Sequence, residues 1–222
     1  MAIRPVFVPD TDPDHARLFH EHEVDFQWKP GRSPERKKAN IVKLHVAAMH
    51  RNLGPLLDVS SDSNDPLGVH ACASNLAVED DRSFLIPLMA VYQGSQVFTG
   101  GGPFTDLHLK QEDEIVGDKR LTSSGKHVGF RFMDLEWGAK SGTMFYDWLA
   151  IHAIHRYRKL RTGIRRFKGF TEVDCLSRGK TISHARACAL YVALAGKKLL
   201  DEVIDSQEFF IEVLIKDSFY QP

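Results

Sequence analysis

The stretch Pro87-Leu-Met-Ala-Val-Tyr-Gln-Gly-Ser-Gln-Val-Phe98 carries the most distinctive local pattern of the chain. Leu88 and Val91 recur at helical spacing, and Pro87 suits a first helical turn, where a missing N–H costs nothing. The run Gly100–Pro103 then stops the helix. The sequence therefore predicts a helix over residues 87–98 that is followed by a tight turn.

Other segments repeat the helical spacing or alternate as strands do. Further helices are predicted over Ser33–Arg51, Thr143–Leu160, Ser183–Ala195 and Ser206–Lys216. Extended segments are predicted over Arg4–Val8, Leu56–Ser60, Val128–Phe132 and Phe170–Asp174, and a loop over Pro9–Glu23. No repeat or linker interrupts the chain. We therefore expect one α+β, mainly α, domain over residues 1–222, with residues 1–30 as an extended segment packed on it.

The composition narrows the class of protein before any site is considered. Of 222 residues, 43% are hydrophobic and 26% charged, as in an ordinary globular protein. The 29 basic and 29 acidic residues exclude a generally basic nucleic-acid binder, but not a local basic patch. No apolar run approaches the ~20 residues that span a bilayer, and the start lacks a secretion signal. Because Cys72, Cys175 and Cys188 are odd in number and far apart, we expect free thiols and a cytoplasmic protein without a membrane partner.

Metal ligands and activated nucleophiles lack a recognisable pattern. The chain holds 11 histidines, and the closest pairs are His20-Glu-His22 and His152-x-x-His155. Neither matches a zinc signature, and no Cys-x-x-Cys accompanies them. No Gly-x-Ser-x-Gly elbow or Cys/His spacing indicates a nucleophile. We therefore expect no metal site and no other cofactor.

Three local features leave a structural and a functional interpretation open. Residues 156–168 hold seven basic side chains and no acid. They either contact the phosphates of a nucleic acid or diphosphate, or form a solvated helix end. The run Gly100–Pro103 either cradles a phosphate through backbone N–H groups or makes a tight turn. Asp147, beside Trp148 on an apolar helix face, either accepts a buried hydrogen bond or faces a pocket.

A series of short motifs runs through the chain in a fixed order. They are Arg4-Pro-Val-Phe-Val-Pro9, Phe26-Gln-Trp28, Asn40-Ile-Val-Lys-Leu-His45, Leu67-Gly68, Asn75-Leu76, Tyr92-Gln-Gly-Ser-Gln-Val-Phe98, Gly101-Gly-Pro-Phe-Thr-Asp-Leu107, Arg120-Leu-Thr-Ser-Ser-Gly125, Phe145-Tyr-Asp-Trp-Leu149, Phe170-Thr171 and Ala185-Arg-Ala-Cys-Ala-Leu-Tyr-Val192. In this order and spacing, the chain resembles the NADAR antitoxins encoded beside DarT-type DNA ADP-ribosyltransferases. The wider superfamily includes YbiA-like proteins with a compact, mainly helical fold.

The resemblance implies an N-glycosidase activity. Such proteins cut the bond between ADP-ribose and guanine in ADP-ribosylated DNA and so reverse the lesion of a toxin. The implied ligand is ADP-ribose or ADP-ribosylated DNA, and the implied partner is a neighbouring DNA ADP-ribosyltransferase. The reaction needs a group that protonates or orients the leaving base. It also needs a carboxylate or an amine that stabilises or captures the electron-poor anomeric carbon.

The chain departs from the family pattern at polar positions. The family commonly carries Glu three residues before the aromatic Tyr92, where this chain has Met89. It commonly carries Lys after the Gly-Ser pair, where this chain has Gln96. A Glu-Ile-Ser-Thr-Lys-Ser-like strand end reads Asp58-Val-Ser-Ser-Asp-Ser63, so Asp62 replaces an amine suited to a Schiff base.

Two further family stretches differ near the C-terminal third. A Glu-Phe-Asn-Pro-like stretch reads Asp174-Cys-Leu-Ser177, and an Asn-Cys-Gln-like run reads Ile182-Ser-His184. The retained family residues are mostly scaffold positions, whereas the replacements gather at polar site positions. The site is therefore either rebuilt for another ligand or used for binding without turnover.

Replacement carboxylates define the candidate site. Asp62 and Asp174 are the acid/base candidates if folding brings them close, and His184 is a further one near neutral pH. Gln93 and Asn75 are expected to orient the ligand. The four longest helices are expected to surround one pocket. The expected ligand-binding residues are Asn75, Tyr92, Gln93, Gly94, Gly101, Gly102, Asp106, Asp147, Trp148, His184 and Arg186, with Tyr92, Gln93, Trp148 and Arg186 at the pocket border.

Two functions from different classes stay open at this point. The first is an N-glycosidase that acts through the replacement carboxylates. The second is a binding module with little or no catalysis, in which residues 156–168 and the glycine turn hold the phosphates of ADP-ribose or ADP-ribosylated nucleic acid. In that module, Tyr92 or Trp148 would provide a stacking surface. Release of ADP-ribose from modified oligonucleotides distinguishes the two.

Overall fold

The computed structural model describes residues 1–174 and 182–220. The strands are β1 (Ala2–Pro9), β2 (Phe19–Phe26), β3 (Leu56–Asp58), β4 (Ala77–Glu79), β5 (Leu85–Pro87), β6 (Gln96–Phe98), β7 (His127–Phe132), β8 (Leu135–Gly138) and β9 (Gly169–Thr171). The helices are α1 (Pro34–Met49), α2 (Pro66–His70), α3 (Leu88–Gly94), α4 (Glu112–Val116), α5 (Arg120–Ser123), α6 (Gly142–Arg156), α7 (Arg158–Gly163), α8 (His184–Gly196), α9 (Leu200–Asp205) and α10 (Gln207–Leu214).

The main sheet has four strands in the order β2-β1-β9-β3. Three of them form antiparallel neighbours, β2 with β1 and β1 with β9. The last pair, β9 with β3, is parallel, with Leu57 opposite Phe170 and Asp58 opposite Thr171. Smaller sheets, β4-β5 and β6-β7-β8, lie outside it. This mixture of strands and helices confirms the predicted α+β class.

The two faces of the main sheet bury different apolar clusters. Neighbouring residues of a strand point to opposite faces. Phe7 accordingly joins a large core that α3, α6 and α8 help to form. Val6 joins a smaller cluster with Ile41 and Leu44 of α1. Both clusters pack on one sheet, so they belong to one compact domain.

Serine caps start three of the predicted helices where the sequence places them. The Ser33 hydroxyl accepts a hydrogen bond from the Arg36 backbone N–H at 3.4 Å and begins α1. Ser183 and Ser206 cap α8 and α10 in the same way, each at 3.2 Å. A hydroxyl at this position satisfies a backbone donor that the helix leaves unpaired. The predictions of these three helices are confirmed.

The predicted loop over Pro9–Glu23 is wrong in its second half. Residues from Phe19 onward form β2, which pairs with β1 from Phe19↔Pro9 to Phe26↔Ala2. The side chains of residues 20–23 are exposed, while Val24 is buried. The strand lies at the sheet edge, where charged side chains are common, and its polar sequence conceals it.

Two predicted helices end earlier than expected. The helix over residues 87–98 ends at Gly94, whose carbonyl accepts from the Phe104 N–H and not from a following helical turn. The position needs a glycine, because a Cβ there would lie 2.7 Å from the His108 ring. The chain then continues as β6. The helix over residues 143–160 breaks at Tyr157, whose backbone is extended, and α7 follows.

The described residues agree with the expected thiol chemistry. Cys72 and Cys188 are free and buried, whereas Cys175 lies outside the described residues.

Across residues 1–174 and 182–220, no helix has the length and apolarity needed to cross a bilayer. Within the same residues, His, Cys, Asp and Glu side chains form no group of three suited to a metal ion.

Candidate functional site

The carboxyl ends of β3 and β9 lie side by side. These strands are parallel, so the segments that leave them, Val59–Ser63 and Glu172–Asp174, start at the same edge of the sheet. The Val59 N–H donates to the Thr171 carbonyl at 2.7 Å and extends the pairing by one step. Ligand sites commonly lie outside the carboxyl ends of parallel strands. The edge therefore brings polar residues from two distant parts of the chain together.

Lys37 joins the two predicted catalytic carboxylates. Its Nζ lies 3.0 Å from Asp62 Oδ2 and 3.0 Å from Asp174 Oδ2. Lys37 projects from the first turns of α1, and hydrogen bonds with Asp174 and Asp62 raise its pKa. The Asp174 side chain is 49% exposed, against 16% for Asp62, so solvent and ligands reach this group. We call Lys37, Asp62 and Asp174 the strand-end cluster.

Asp58 ties the two strand ends together beneath the strand-end cluster. Its carboxylate accepts hydrogen bonds from Ser60 Oγ at 2.6 Å, Thr171 Oγ1 at 3.1 Å and the Val173 N–H at 3.0 Å. Burial raises the pKa of Asp58 to about 7, although these hydrogen bonds oppose the shift. The side chain is only 1% exposed. Asp58 therefore positions the segments that carry Asp62 and Asp174 and does not itself contact a ligand.

A histidine extends this buried hydrogen-bond chain. The Thr171 hydroxyl donates to Asp58, so its oxygen accepts from His45 Nε2, 2.9 Å away. Burial lowers the pKa of His45 to about 4, which keeps its imidazole neutral at physiological pH. A neutral ring with its proton on Nε2 satisfies both contacts. The chain His45–Thr171–Asp58 thus connects α1 to both strands.

Gly68 allows α2 to lie directly over the strand ends. A Cβ at this position would lie 2.0 Å from the Asp58 carbonyl oxygen and 2.3 Å from Ser63 Oγ. Both contacts are far shorter than van der Waals contact, so only glycine fits. Asp65 caps the helix by accepting from the Leu67 N–H at 2.8 Å. This close packing fixes the loop that carries Asp62.

A second polar group lies at the start of α8. Glu172, which directly follows β9, accepts from the His184 N–H at 3.2 Å, and the His184 ring hydrogen-bonds through Nδ1 with the Tyr146 hydroxyl. Burial raises the pKa of Tyr146 well above its ordinary value, so the phenol stays neutral. The negative charge of Glu172 contributes to raising the pKa of both Asp58 and Tyr146. His184 therefore borders the region that contains the strand ends.

Asp147 and Arg186 pair with each other in the interior. Arg186 donates to the Asp147 carboxylate through Nε at 3.2 Å and Nη2 at 3.0 Å, and the Tyr220 hydroxyl donates to it at 2.7 Å. Asp147 is fully buried and Arg186 is 1% exposed. Burial raises the pKa of Asp147, while Arg186 and Tyr220 act to lower it. Of the two interpretations of Asp147, its placement matches the buried hydrogen-bond acceptor. We call Asp147 and Arg186 the interior pair.

Tyr92 and Trp148 lie in different surroundings. Tyr92 packs in an aromatic cluster, with its ring centroid 6.0 Å from Phe145 and 5.3 Å from Phe130. Trp148 lines a separate cavity of about 540 Å³ near His152. The Trp148 indole N–H has no hydrogen-bond partner among the described residues. The charges of Arg186 and Asp147 nevertheless act on the pKa of Tyr92, so Tyr92 lies near these two residues. The assignment of Tyr92, Trp148 and Arg186 to one pocket stays a prediction.

The glycine turn after β6 uses its backbone donors internally. The Gly100 N–H donates to the Ser124 carbonyl at 2.9 Å, and the Gly101 N–H donates to Phe98 at 3.2 Å. Gly102 has a left-handed φ of +94°, which favours glycine. Because the first two donors are already engaged, the turn matches the structural interpretation rather than an open phosphate cradle.

The remaining predicted ligand-binding residues lie apart from the strand-end cluster or make local contacts. Asn75 donates to the Val69 carbonyl at 2.8 Å, and Gln93 accepts from Gln96. Asp106 is exposed and forms a two-bond pair with Arg120, at 3.1 and 2.7 Å. Gly94 packs under His108, as described above. Their assignment to ligand binding stays a prediction.

Sequence reasoning missed four residues of the strand ends and their surroundings: Lys37, Asp58, Tyr146 and Glu172. A signal for two of them was present. Asp58 and Glu172 lie in or directly after predicted extended segments, and parallel pairing of those segments would have brought them together. Lys37 gave no such signal, because it is one of several basic residues on an amphipathic helix.

Two positions that depart from the implied family pattern, Met89 and Gln96, make ordinary packing and side-chain contacts. Met89 is half-buried against the large core, and the Gln96 side chain contacts Gln93. At Asp62, where the resemblance implies a lysine, the Lys37 ammonium lies 3.0 Å from the carboxylate. Residues 175–177, which also differ from the implied pattern, lie outside the described residues.

The fold and the strand-end cluster together describe a compact α+β protein with charged groups converging at the end of a parallel strand pair. In a comparison with protein families, residues 2–222 match the DarT1-associated NADAR antitoxins. Because the match spans almost the whole chain, the chain belongs to this family. This confirms the resemblance seen in the motifs. A search among curated proteins found no match.

Proposed function

We propose that this antitoxin is an N-glycosidase that releases ADP-ribose from ADP-ribosylated guanine in DNA. Family membership supports the reversal of a lesion made by a DarT1-type toxin, which would be its functional partner. The observation that carries the proposal is the convergence of Asp62 and Asp174 on one ammonium at an accessible sheet edge. The strand-end cluster is the proposed catalytic site.

The charge of the strand-end cluster suits the transition state of this reaction. As the bond from the anomeric carbon to the guanine nitrogen breaks, its electron pair leaves with the base and the sugar becomes cationic. Two carboxylates beside one ammonium leave a net negative charge, which stabilises that cation. We assign the contact with the sugar to Asp62 because it is the less exposed of the two carboxylates.

Asp174 and His184 complete the proposed proton transfers. Asp174 is half-exposed and able to take a proton from an attacking water, whose oxygen forms the new bond to the anomeric carbon. The leaving guanine must receive a proton, and His184, hydrogen-bonded to Tyr146, is the proposed donor. Lys37 stays an ammonium because its pKa is raised, so it orients the carboxylates and does not act as a Schiff-base amine.

The double variant Asp62→Asn/Asp174→Asn tests the assignment. We expect release of ADP-ribose from a guanine-modified oligonucleotide, followed by mass spectrometry, to fall by about 100-fold or more. A thymine-linked oligonucleotide tests base selectivity in parallel. The matched control is Asp14→Asn/Asp134→Asn, which changes the same charge at exposed positions. Unimpaired turnover by the first variant contradicts the proposed site.

A binding module without turnover is the second candidate function. Met89 favours it, because a half-buried thioether occupies the position where the family commonly carries a proton-transferring Glu. Titration calorimetry with free ADP-ribose and with modified oligonucleotides separates the candidates. Binding without any release of ADP-ribose by the wild-type protein supports the module, whereas measurable release supports the enzyme.

A further inference from the structure

We propose that α7 and the 3-10 turn after it hold the sugar–phosphate backbone of the DNA strand that carries the modified base. This inference rests on the proposed function, because it names the part of the substrate that lies outside the strand-end cluster. It assigns no base contacts to this surface. The surface consists of Arg158, Lys159, Arg161, Arg165 and Lys168, which we call the cationic face.

The cationic face is exposed and lacks counter-charges within the described part of the chain. All seven basic residues between positions 156 and 168 are exposed. Two of them have acidic partners: Arg156 pairs with Glu79, and Arg166 with Asp65 at 3.2 Å. The five residues of the cationic face form no ion pair with any described residue. In a chain of zero net charge, this concentration of unpaired cations favours a polyanion.

The length of the cationic face favours a nucleic-acid strand over a single diphosphate. Helix α7 has six residues and the following 3-10 turn, Ile164–Arg166, has three. At the rise of these helices the segment is about 15 Å long. Phosphates of one DNA strand repeat every ~3.4 Å along the helix axis, so several of them fit along this segment. A diphosphate offers only two.

The cationic face is fixed close to the strand-end cluster. Arg166, within the same basic segment, pairs with Asp65, which follows Asp62 by three residues. Three residues span at most about 10 Å of chain. The backbone of α7 also lies tightly on α2, because a Cβ at Gly163 would lie 2.9 Å from Leu67 Cδ2. A strand whose modified base enters the site therefore passes within reach of these cations.

The aromatic residues of the segment do not offer stacking surfaces. Tyr157 and Phe167 are partly buried and pack against the large core, and the Arg166 guanidinium covers the Phe167 ring at 5.0 Å. Recognition by the cationic face is therefore electrostatic. We expect it to depend strongly on salt and little on base sequence.

The triple variant Arg158→Gln/Arg161→Gln/Arg165→Gln tests the cationic face. Binding to a fluorescent, unmodified single-stranded oligonucleotide is measured by anisotropy over a series of salt concentrations. Single-stranded DNA gives a slope of about −0.7 in log K against log salt for each phosphate neutralised, so the variant should lose about 2 units of slope. The control Lys119→Gln/Lys126→Gln/Lys140→Gln removes the same charge from exposed positions elsewhere.

The outcomes separate this inference from the proposed function. Equal slopes for the triple variant, its control and the wild type overturn the inference, as does failure of the wild type to bind the oligonucleotide. Retained hydrolysis by the wild type would leave the proposed function standing in that case. A reduced slope in a protein that never releases ADP-ribose supports the cationic face and overturns the enzyme. If the triple variant does not fold, Arg161→Gln alone should still reduce the slope by about 0.7.

Discussion

The interior pair and the strand-end cluster use the same chemistry in opposite surroundings. In both, a carboxylate contacts a cation at 3.0 Å. The interior pair is buried, and the Tyr220 hydroxyl donates a further hydrogen bond to Asp147. The strand-end cluster has two carboxylates for one ammonium, and one of them is half-exposed. A buried pair in the core stabilises one arrangement of the chain. The strand-end cluster is accessible and, counting only residues that the structure describes, incompletely neutralised, so it is available to a ligand.

The difference in burial indicates which charged residues should affect stability and which should affect turnover. Both Asp147 and Asp62 belong to polar positions that sequence reasoning assigned to the site. Their burial separates them: the first lies under α8 with no route to solvent, and the second at an open sheet edge. We therefore expect substitutions in the interior pair to change the free energy of unfolding, and substitutions in the strand-end cluster to change turnover.

The largest expected effect is that of Arg186→Ala. Removing the guanidinium leaves the Asp147 carboxylate buried without its main partner, which should cost about 3–5 kcal/mol of the free energy of unfolding. Urea denaturation followed by circular dichroism measures it. The double variant Asp147→Asn/Arg186→Met removes both charges and should recover part of the loss. If the free energy of unfolding of Arg186→Ala lay within ~1 kcal/mol of the wild-type value, the interior pair would be no more important for stability than an exposed ion pair.

A smaller, pH-dependent effect is expected from Asp58→Asn. The folded protein keeps the Asp58 proton up to about pH 7, whereas the unfolded chain releases it near pH ~4. The folded state then binds more protons between these values, so this residue's contribution to wild-type stability falls as pH rises from about 4 to about 7. Asparagine does not titrate.

Urea denaturation of both proteins at pH 4.5 and pH 8 measures this difference. The stability of the wild type relative to Asp58→Asn should fall by about 3 kcal/mol across the range. Both proteins retain His45, whose titration has the opposite sign, so the comparison isolates Asp58. A pH-independent difference would contradict the raised pKa of Asp58.

The smallest effect on stability is expected from Lys37→Ala. Its ion pairs are partly exposed, and such pairs typically contribute less than ~1 kcal/mol. Turnover should nevertheless change, because two neighbouring carboxylates without a cation repel each other when both are ionised. The acid limb of the pH–rate profile should move to higher pH in Lys37→Ala and stay in place in Lys37→Arg. Equal pH–rate profiles for the wild type, Lys37→Ala and Lys37→Arg would show that Lys37 does not affect the catalytic groups.

The sequence predicted those helices and strands whose ends depend on residues within the same segment. Ser33, Ser183 and Ser206 cap helices through their own hydroxyls, and the last three residues of β7, Phe130 to Phe132, are buried, exposed and buried in turn. The strand β2 and the end of α3 were missed for a common reason. Both depend on packing partners, since β2 is a polar edge strand and Gly94 stops α3 against His108.

The candidate site could be predicted only in part. Asp62 and Asp174 were selected as carboxylates that replace family residues, and the structure brings both to Lys37. Lys37 could not be predicted, because its role depends on the angle at which α1 crosses the sheet. The burial of Arg186 and Asp147 as a pair could not be predicted, since burial of a charged pair leaves no pattern in the chain. The ligand-binding roles of Arg186 and Asp147 and the catalytic roles of Asp62 and Asp174 stay predictions.

The parallel pairing of β3 with β9 has a consequence for the life of the protein in the cell. The hydrogen bond between Thr171 and Asp58 closes a loop of 113 residues, about half of the chain. Contacts across so long a loop form late, because its closure entropy must be overcome first. A partly synthesised chain that ends before β9 lacks Asp174, one of the two carboxylates of the strand-end cluster. Protection against the toxin would therefore begin only when the antitoxin has been synthesised past β9 and has folded.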